Sequence, residues 1–374
     1  MGQQRRAWLA VSAAAVVAAF LGDTFSGSEA SFSFFYLIAI ALGTWFGSLG
    51  WGLWLSLMSA AGWTAAYFLN GRLYSRPDIL YWNVGVELVV FAGVSLALAR
   101  FRAARVRERA LQDELARAYE RLDHEMRSVG ELQKSLLPGA LPALPGYAMA
   151  VHYAPSTRAG GDYYDFFELP EGKVGLWIAD ASGHGAPAAV LMAMTRVLLR
   201  TASGMLAFPE RVLATLNRQL CRTIPSARFV TACYAVLELR SGVVDYALAG
   251  HPPPLLLGAA EGDLETLTTA AGPPLGVFEE AQFECRTTRL APGDTLVFYT
   301  DGITEAQGVG GEMFGHDRLQ QTLVDERRLA PGDMRDRLLA AIERHTGGIA
   351  PADDVTLIVL RAVAPGVAGS ATAG

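Results

Sequence analysis

Cysteine is scarce in this chain. Cys221, Cys233 and Cys285 are the only three, and no two of them form a C-x-x-C pair. No histidine spacing completes a zinc set, so neither a disulfide scaffold nor a zinc module is available. Isolated reduced thiols in or near a core are expected instead, in a cytoplasmic setting. Lysine is scarcer still: Lys134 and Lys173 are the only two, and arginine carries nearly all the positive charge. The formal net charge is −6, and no basic stripe with interleaved aromatics runs along the chain, which argues against a nucleic-acid partner. No internal repeat is visible. Charged residues make up 18% against 51% hydrophobic, and the mean hydropathy is +0.25. That balance is high for a soluble protein, and the excess sits in the first hundred residues.

The length of 374 residues suggests two or three domains. Four apolar stretches open the chain: Ala7–Leu21, Phe32–Phe46, Leu49–Leu69 and Leu80–Ala99. The last two reach the roughly 20 residues that a spanning helix needs, and the first two are shorter. Arg5 and Arg6 precede the first stretch as they would in a signal peptide, but no clean A-x-A cleavage site follows. A retained helix is expected. Arg100, Arg102, Arg105, Arg107 and Arg109 crowd the end of the fourth stretch. With Arg5 and Arg6 they put both flanks on the cytoplasmic side of a plasma membrane crossed four times. Arg72 and Arg76 then fall outside, against that rule. Glu87 lies in the fourth stretch, one helical turn after Asn83. An ionisable group there is a functional candidate, unless it sits near the outer interface and pairs with Arg72, Arg76 or water.

A helical linker follows. Leu111, Leu115, Ala118, Leu122, Val129, Leu132 and Leu136 recur at steps near three and four, with Glu125 as the odd member. This heptad seam predicts a short parallel coiled coil and hence a homodimer. The alternative is one amphipathic helix packed on its own domain, since Ala118, Glu125 and Gly130 weaken the seam. Pro138, Pro142 and Pro145 end the helix.

From Tyr147 the pattern turns to strands. Tyr147–Tyr153, Tyr164–Leu169, Val174–Ala179, Phe229–Leu239, Val243–Ala249, Thr295–Thr300 and Val355–Leu360 are short, β-branched and aromatic, and bounded by turn-formers. Ala186–Thr201, Pro209–Thr223, Asp317–Arg327 and Gly332–His345 read as helices. Helices in pairs between runs of strands imply α+β layers, not alternating βαβ units. The expected organisation is a membrane region over 1–99, a linker over 100–137, a catalytic domain over 138–362 and a disordered Gly/Ala/Ser-rich tail over 363–374.

Four loops in the catalytic half carry aspartate at or near a strand end. They are Gly160–Asp165, Ile178–Gly185, Thr300–Ile303 and Asp353–Thr356. Each alone is an ordinary turn. Together, Asp162, Asp180, Asp301 and Asp353 would repel one another unless cations neutralise them. Two hard divalent ions, Mn²⁺ or Mg²⁺, take carboxylate, carbonyl and water oxygens and can clamp a phosphoryl group.

From about Leu132 to Leu360 the sequence resembles the metal-dependent protein phosphatases, the PPM family. Within it, the resemblance is to the bacterial stage-II-sporulation-E and sigma-regulator branch. The stretches that carry it are Gln133–Pro138, Gly160–Phe166, Ile178–Gly185, Ala249–Pro253, Gly272–Gly276, Tyr299–Glu305 and Asp353–Thr356. The resemblance implies an αββα sandwich with a two-metal site at one end. It implies that Asp180 bridges both metals and that the Ala181 carbonyl holds the second. Asp301 and Asp353 would complete the first, and Asp162 would act directly or through water. Asp353 fits that pattern better than Asp354. Two departures stand out. Ala181 replaces a commoner valine, and Thr157-Arg158-Ala159 replaces a commoner acidic-aliphatic pair before Gly160. Arg158 is therefore either a phosphate contact or a solvated loop arginine.

His184 reads as a turn residue, with general acid as its alternative role. His251 reads as shaping a loop, and His124, His152, His316 and His345 carry no chemical signal. No Ser/His/Asp order or reactive cysteine supports a covalent intermediate, so direct attack by activated water is expected. Three rivals are weaker. A sensor kinase would want D-x-G-x-G where Asp180–Gly185 is D-x-x-G-x-G. A diguanylate cyclase would want Glu-Phe where Tyr163-Tyr164 stand. A non-catalytic receptor with a phosphatase-like domain would not need all four aspartates. The expectation is a membrane-anchored serine/threonine phosphatase. The resemblance suggests that its substrate is a phosphorylated anti-sigma-factor antagonist of the STAS type.

Overall fold

The computed structural model describes residues 2–26, 32–71, 77–225, 227–260, 263–268, 272–349, 351–363 and 371–373. The chain divides into two compact units, Met1–Tyr119 and Glu120–Gly374.

The first unit is helical. It holds α1 (Gly2–Phe25), α2 (Ser33–Phe46), α3 (Leu49–Leu69) and the first part of α4 (Pro77–Leu136). Each expected apolar stretch is a helix. The Ser48 side chain caps α3 by accepting from the Trp51 N–H at 3.2 Å. Tyr36, Ala39, Ile40, Leu55 and Phe91 are fully buried between the helices, while Phe35, Trp54, Leu57, Trp82 and Val89 stay exposed. The expectation of four spans is matched in part. Among the described residues, two helices are long and apolar enough to cross a membrane, Gln3–Phe25 and the helix that begins at Asp78. With 14 residues, α2 rises only about 21 Å against a hydrocarbon core of about 30 Å. Glu87 accepts a hydrogen bond from Ser33 Oγ at 2.9 Å; Arg72 and Arg76 lie outside the described residues.

The linker is helical. Its sequence continues α4 without a break to Leu136, and residues from Glu120 onward belong to the second unit. Leu111, Leu115, Leu122 and Leu132 of the heptad seam are exposed.

The second unit is a four-layer sandwich. One sheet has the order β11-β1-β10-β9-β6-β7 and the other β2-β3-β4-β5-β8. The first is built on β1 (Tyr147–Ala154), β9 (Thr295–Tyr299) and β10 (Val355–Ala362), with the short β6 (Leu255–Leu257) and β7 (Leu264–Thr266). The second uses β2 (Tyr163–Leu169), β3 (Lys173–Ala181), β4 (Val230–Glu238), β5 (Val243–Ala249) and β8 (Arg286–Arg289). Side chains alternate across each strand, and that alternation makes the layers. Leu176 and Ile178 of β3 meet Ile358 and Leu360 of β10 between the sheets. Trp177 and Ala179, one residue out of phase, turn to α5 (Ala186–Thr201) and α6 (Pro209–Thr223). Leu357 and Val359 turn the other way, to α8 (Gly315–Asp325) and α9 (Pro331–Thr346). Proline in the first turn of α5, α6 and α9 starts each helix where a free N–H is not needed.

Four details depart from expectation. Short strands β6, β7 and β8 are added, because three or four residues carry no periodicity to read. Thr300-Asp301-Gly302 opens a one-turn helix, α7 (Asp301–Thr304), where a hairpin turn would be the ordinary outcome. Within the tail expected to be disordered, Ala371–Ala373 form β11, parallel to β1. Of the thiols, Cys233 is in the inter-sheet core, Cys221 is half-buried and Cys285 is exposed.

Candidate active site

All four aspartate loops lie at one end of the sandwich. Antiparallel pairing sets this: Tyr163 at the start of β2 faces Ala179 near the end of β3. In the other sheet, Tyr299 at the end of β9 faces Leu357 near the start of β10. Asp162 and Asp180 therefore come from one sheet, Asp301 and Asp353 from the other.

Asp162 is 1% exposed, and its Oδ2 accepts from Thr300 Oγ1 at 2.8 Å and Thr356 Oγ1 at 2.5 Å. Both hydroxyls belong to the opposite sheet, so this carboxylate ties the two layers together. Burial, then the neighbouring Asp180, pushes its pKa well above the usual carboxylate range. Asp180 stands opposite Thr231 of β4. Burial and the charges of Asp301, Asp353, Asp354 and Glu305 push it up to about 8. Asp301 is pushed up to about 6 by burial, then by Asp353 and Glu305. Asp353 is raised by burial, against partial relief from the Asp354 N–H. The acidic groups thus share one field. Among the described residues, no three acidic, histidine or cysteine side chains stand close enough to grip an ion as they are.

The two members of Asp353-Asp354 separate cleanly. Asp354 is 4% exposed and its carboxylate is occupied. Oδ1 accepts from the Ser156 N–H at 2.7 Å and Ser156 Oγ at 3.1 Å. Oδ2 accepts from the N–H groups of Gly161 at 2.5 Å and Asp162 at 3.3 Å. Among the described residues, Asp353 accepts just the Asp354 N–H, at 2.8 Å.

Oxygen also comes from the backbone. A side chain on Gly161 would bring a Cβ to 2.4 Å from the Ala181 carbonyl oxygen and 2.9 Å from Asp180 Oδ1. Glycine there keeps this pair of oxygens clear, a cradle that fits a hard cation. The acidic cluster and this cradle together suit a divalent metal.

The turn after Asp180 is held from the side. Arg228 Nη1 donates to the Ser182 carbonyl at 2.8 Å, and the Phe229 N–H donates to Ser182 Oγ at 3.0 Å. His184 is exposed on this turn. Arg158, one of the open assignments, pairs with Asp123 at 2.9 Å. His251 is 5% exposed, with Nδ1 2.9 Å from Thr231 Oγ1. Burial pushes its pKa down to about 3, so it is neutral.

Sequence reasoning missed Arg228, weighed Asp354 only as the weaker metal ligand, and gave no role to Thr300 and Thr356 although it placed them in the aspartate loops. The threonines lie next to or near an aspartate in T-D-G and D-D-V-T, which was the only local signal they gave.

Known proteins resemble this chain in sequence and fold. A family model described as Stage II sporulation protein E (SpoIIE) matches residues 170–363, just over half of the chain. Phosphoserine phosphatase RsbU of Bacillus subtilis (strain 168) is 26% identical over 292 residues, which is 77% of this chain and 81% of RsbU. Protein IcfG of Synechocystis is 27% identical over 263 residues, 63% of this chain but only 41% of IcfG. Among solved structures, the SiaA-PP2C domain of Pseudomonas aeruginosa has a TM-score of 0.58 at 21% identity, over 65% of this chain and 98% of that domain. The RsbU and RsbW domains of a Mycobacterium tuberculosis protein give 0.51 at 30% identity, over 62% of this chain and 64% of that one. With its PP2C-like fold in the second unit, the chain belongs to the stage II sporulation protein E (SpoIIE) family.

Proposed function

We propose that this protein is a metal-dependent protein serine/threonine phosphatase, anchored in the plasma membrane with its catalytic unit on the cytoplasmic side. The observation that carries the reading is the meeting of four acidic strand ends, two from each sheet, around an open pair of oxygens on Asp180 and Ala181. Asp180, Asp301, Asp353 and the Ala181 carbonyl are the proposed metal ligands, and Asp162 acts behind them, directly or through water. Two divalent cations, Mn²⁺ or Mg²⁺, would supply positive charge for the phosphoryl oxygens and lower the pKa of an attacking water. The protein's own part is to gather and aim the carboxylates, whose raised pKa values bound cations would bring back down. Thr300 and Thr356 fix Asp162, and Asp354 fixes the Ser156 and Gly161 backbones.

The substrate in this reading is a phosphoserine or phosphothreonine on a regulatory protein, an anti-sigma-factor antagonist of the STAS type. What supports it is the likeness to phosphoserine phosphatases RsbU and RsbP. Two apolar helices of spanning length support the membrane anchor, and the full reading is a multi-pass region over 1–99. The exposed seam of Leu111, Leu115, Leu122 and Leu132 supports a homodimer formed through the linker helix. A signal received by the helical unit would then move that helix against the catalytic unit.

The test is phosphate release from a phosphoserine peptide by the full chain, titrated with Mn²⁺ and Mg²⁺, beside Asp180→Asn. Metal-dependent turnover that the variant abolishes is expected. A folded chain that binds metal with no turnover at any concentration would favour a binding-only module.

A further inference from the structure

We propose that Gln133, in the last turn of α4, is a positioning residue that couples the linker helix to the Asp162 loop and so sets the affinity of the site for divalent metal. The inference rests on the two-metal reading above.

Gln133 is 4% exposed, unlike its neighbours Leu132 and Lys134. Its Nε2 donates to the Gly160 carbonyl at 2.7 Å, and its Oε1 accepts from the Gly160 N–H at 2.9 Å. One side chain thus takes both backbone groups of a residue two positions before Asp162. Only a primary amide offers a donor and an acceptor in that fork. Glutamate would lose the donor, and methionine would keep the volume and lose both.

The same helix face makes three more contacts. A Cβ on Gly130 would stand 1.9 Å from the Arg158 carbonyl oxygen, so the helix backbone lies directly against the loop. The Met126 methyl is 3.8 Å from the Cβ that Gly185 lacks, on the turn after Asp180. Asp123 pairs with Arg158. Positions 123, 126, 130 and 133 follow helical steps of three and four and form one stripe. Gly130, which looks like a flaw in the heptad seam, belongs to this second face. Leu122 and Leu132 of the seam remain 56% and 69% exposed, so the seam can pair with a partner helix while the stripe holds the catalytic loops.

Other holds on the backbone of residues 160–162 come from Asp354 and from the Ala181 N–H, which donates to the Gly161 carbonyl at 3.2 Å. Both are internal to the sandwich. Gln133 supplies the hold that depends on where the helix lies. A rotation or slide of α4 breaks both of its bonds at once and leaves a buried amide facing an unpaired peptide, which makes intermediate positions costly.

The experiment uses the full chain in lipid nanodiscs and reads Mn²⁺ binding from the electron paramagnetic resonance of the free aquo ion, with no substrate present. Hydrogen exchange of the Gly160–Asp162 amides is followed on the same samples. Gln133→Met and Gly130→Ala are compared with wild type and with Gln112→Ala, on the exposed part of the helix. Gln133→Met and Gly130→Ala should each raise the Mn²⁺ Kd about tenfold or more and speed exchange at Gly160–Asp162, with Gln112→Ala like wild type. A Kd within about twofold of wild type in both stripe variants, with unchanged exchange, overturns the inference and leaves the phosphatase reading standing. Failure of the wild type itself to bind Mn²⁺ sinks that reading, and this inference with it.

Discussion

Thr356 donates its hydroxyl to Asp162 at 2.5 Å across the gap between the two sheets. The two residues are 194 positions apart, and the bond joins the first and last motifs of the site. Thr300 makes the parallel bond and accepts the Thr356 N–H at 3.0 Å. A carboxylate buried this deeply is tolerable only when its lone pairs are met. The consequence is that Thr356→Val, which keeps shape and removes the donor, should cost about 1–3 kcal/mol of stability. Phosphatase turnover should fall with it, because Asp162 loses one of its two anchors. Denaturant midpoints and single-substrate kinetics on the variant check both parts.

Adjacent aspartates should give opposite phenotypes. Asp354 accepts two backbone N–H groups through Oδ2 and a backbone N–H and a hydroxyl through Oδ1. Asp354→Ala leaves those donors unmet and should cost about 3 kcal/mol or more of stability. Asp353→Asn removes a charge from the acidic cluster and should hold or raise the stability of the metal-free protein. It should also abolish metal-dependent turnover. Thermal midpoints in EDTA and in Mn²⁺ separate the two: Mn²⁺ should raise the wild-type midpoint by mass action and should leave that of Asp353→Asn nearly unmoved.

Why a ligand role could be read for Asp353 while the structural role of Asp354 could not is a matter of range. Asp162, Asp180, Asp301 and Asp353 could be read because each sits where a strand pattern meets a turn-former. Those are local signals. The roles of Asp354, Thr300 and Thr356 depend on partners 138 to 198 residues away, and nothing near them in the chain records the pairing. The same limit applies to β6, β7 and β8, which exist because a longer neighbour offers them an edge. Ala371–Ala373 form β11 for that reason too, without any apolar alternation of their own. Gly130 shows the reverse case. As part of a heptad it looks like a defect, and its purpose appears only when the Arg158 carbonyl is seen against it.

A second buried carboxylate sits away from the acidic cluster and carries its own prediction. Asp165 is 1% exposed and takes a forked pair of bonds from Arg200 of α5, Nε to Oδ2 at 3.0 Å and Nη2 to Oδ1 at 2.8 Å, with further bonds from the Tyr163 hydroxyl and the Phe166 N–H. The Arg200 guanidinium also stacks 5.3 Å from the Phe167 ring centre. Arg200→Ala strands a buried charge and should cost about 3 kcal/mol. Asp165→Asn in the same chain should recover part of that loss, because the stranded charge is gone. A double-mutant cycle by chemical denaturation measures the coupling, and simple additivity of the two changes would refute the assignment.

His251 makes stability depend on pH in a direction that can be worked out. Burial pushes its pKa down to about 3, while in the unfolded chain an imidazole titrates near about 6.5. Below pH 6.5 the unfolded state therefore binds a proton that the folded state refuses. The stability this neutral histidine contributes is complete above about pH 6.5 and is lost as the pH falls toward about 3. Between about pH 6.5 and 5.5 the loss from this residue alone should be about 1 kcal/mol. His251→Gln starts from a lower stability, because it disturbs the bond to Thr231 Oγ1, but it cannot titrate. Denaturant midpoints at the two pH values should therefore fall further in the wild type than in the variant. Equal falls would mean that the imidazole is protonated in the folded protein and that water reaches it behind β4.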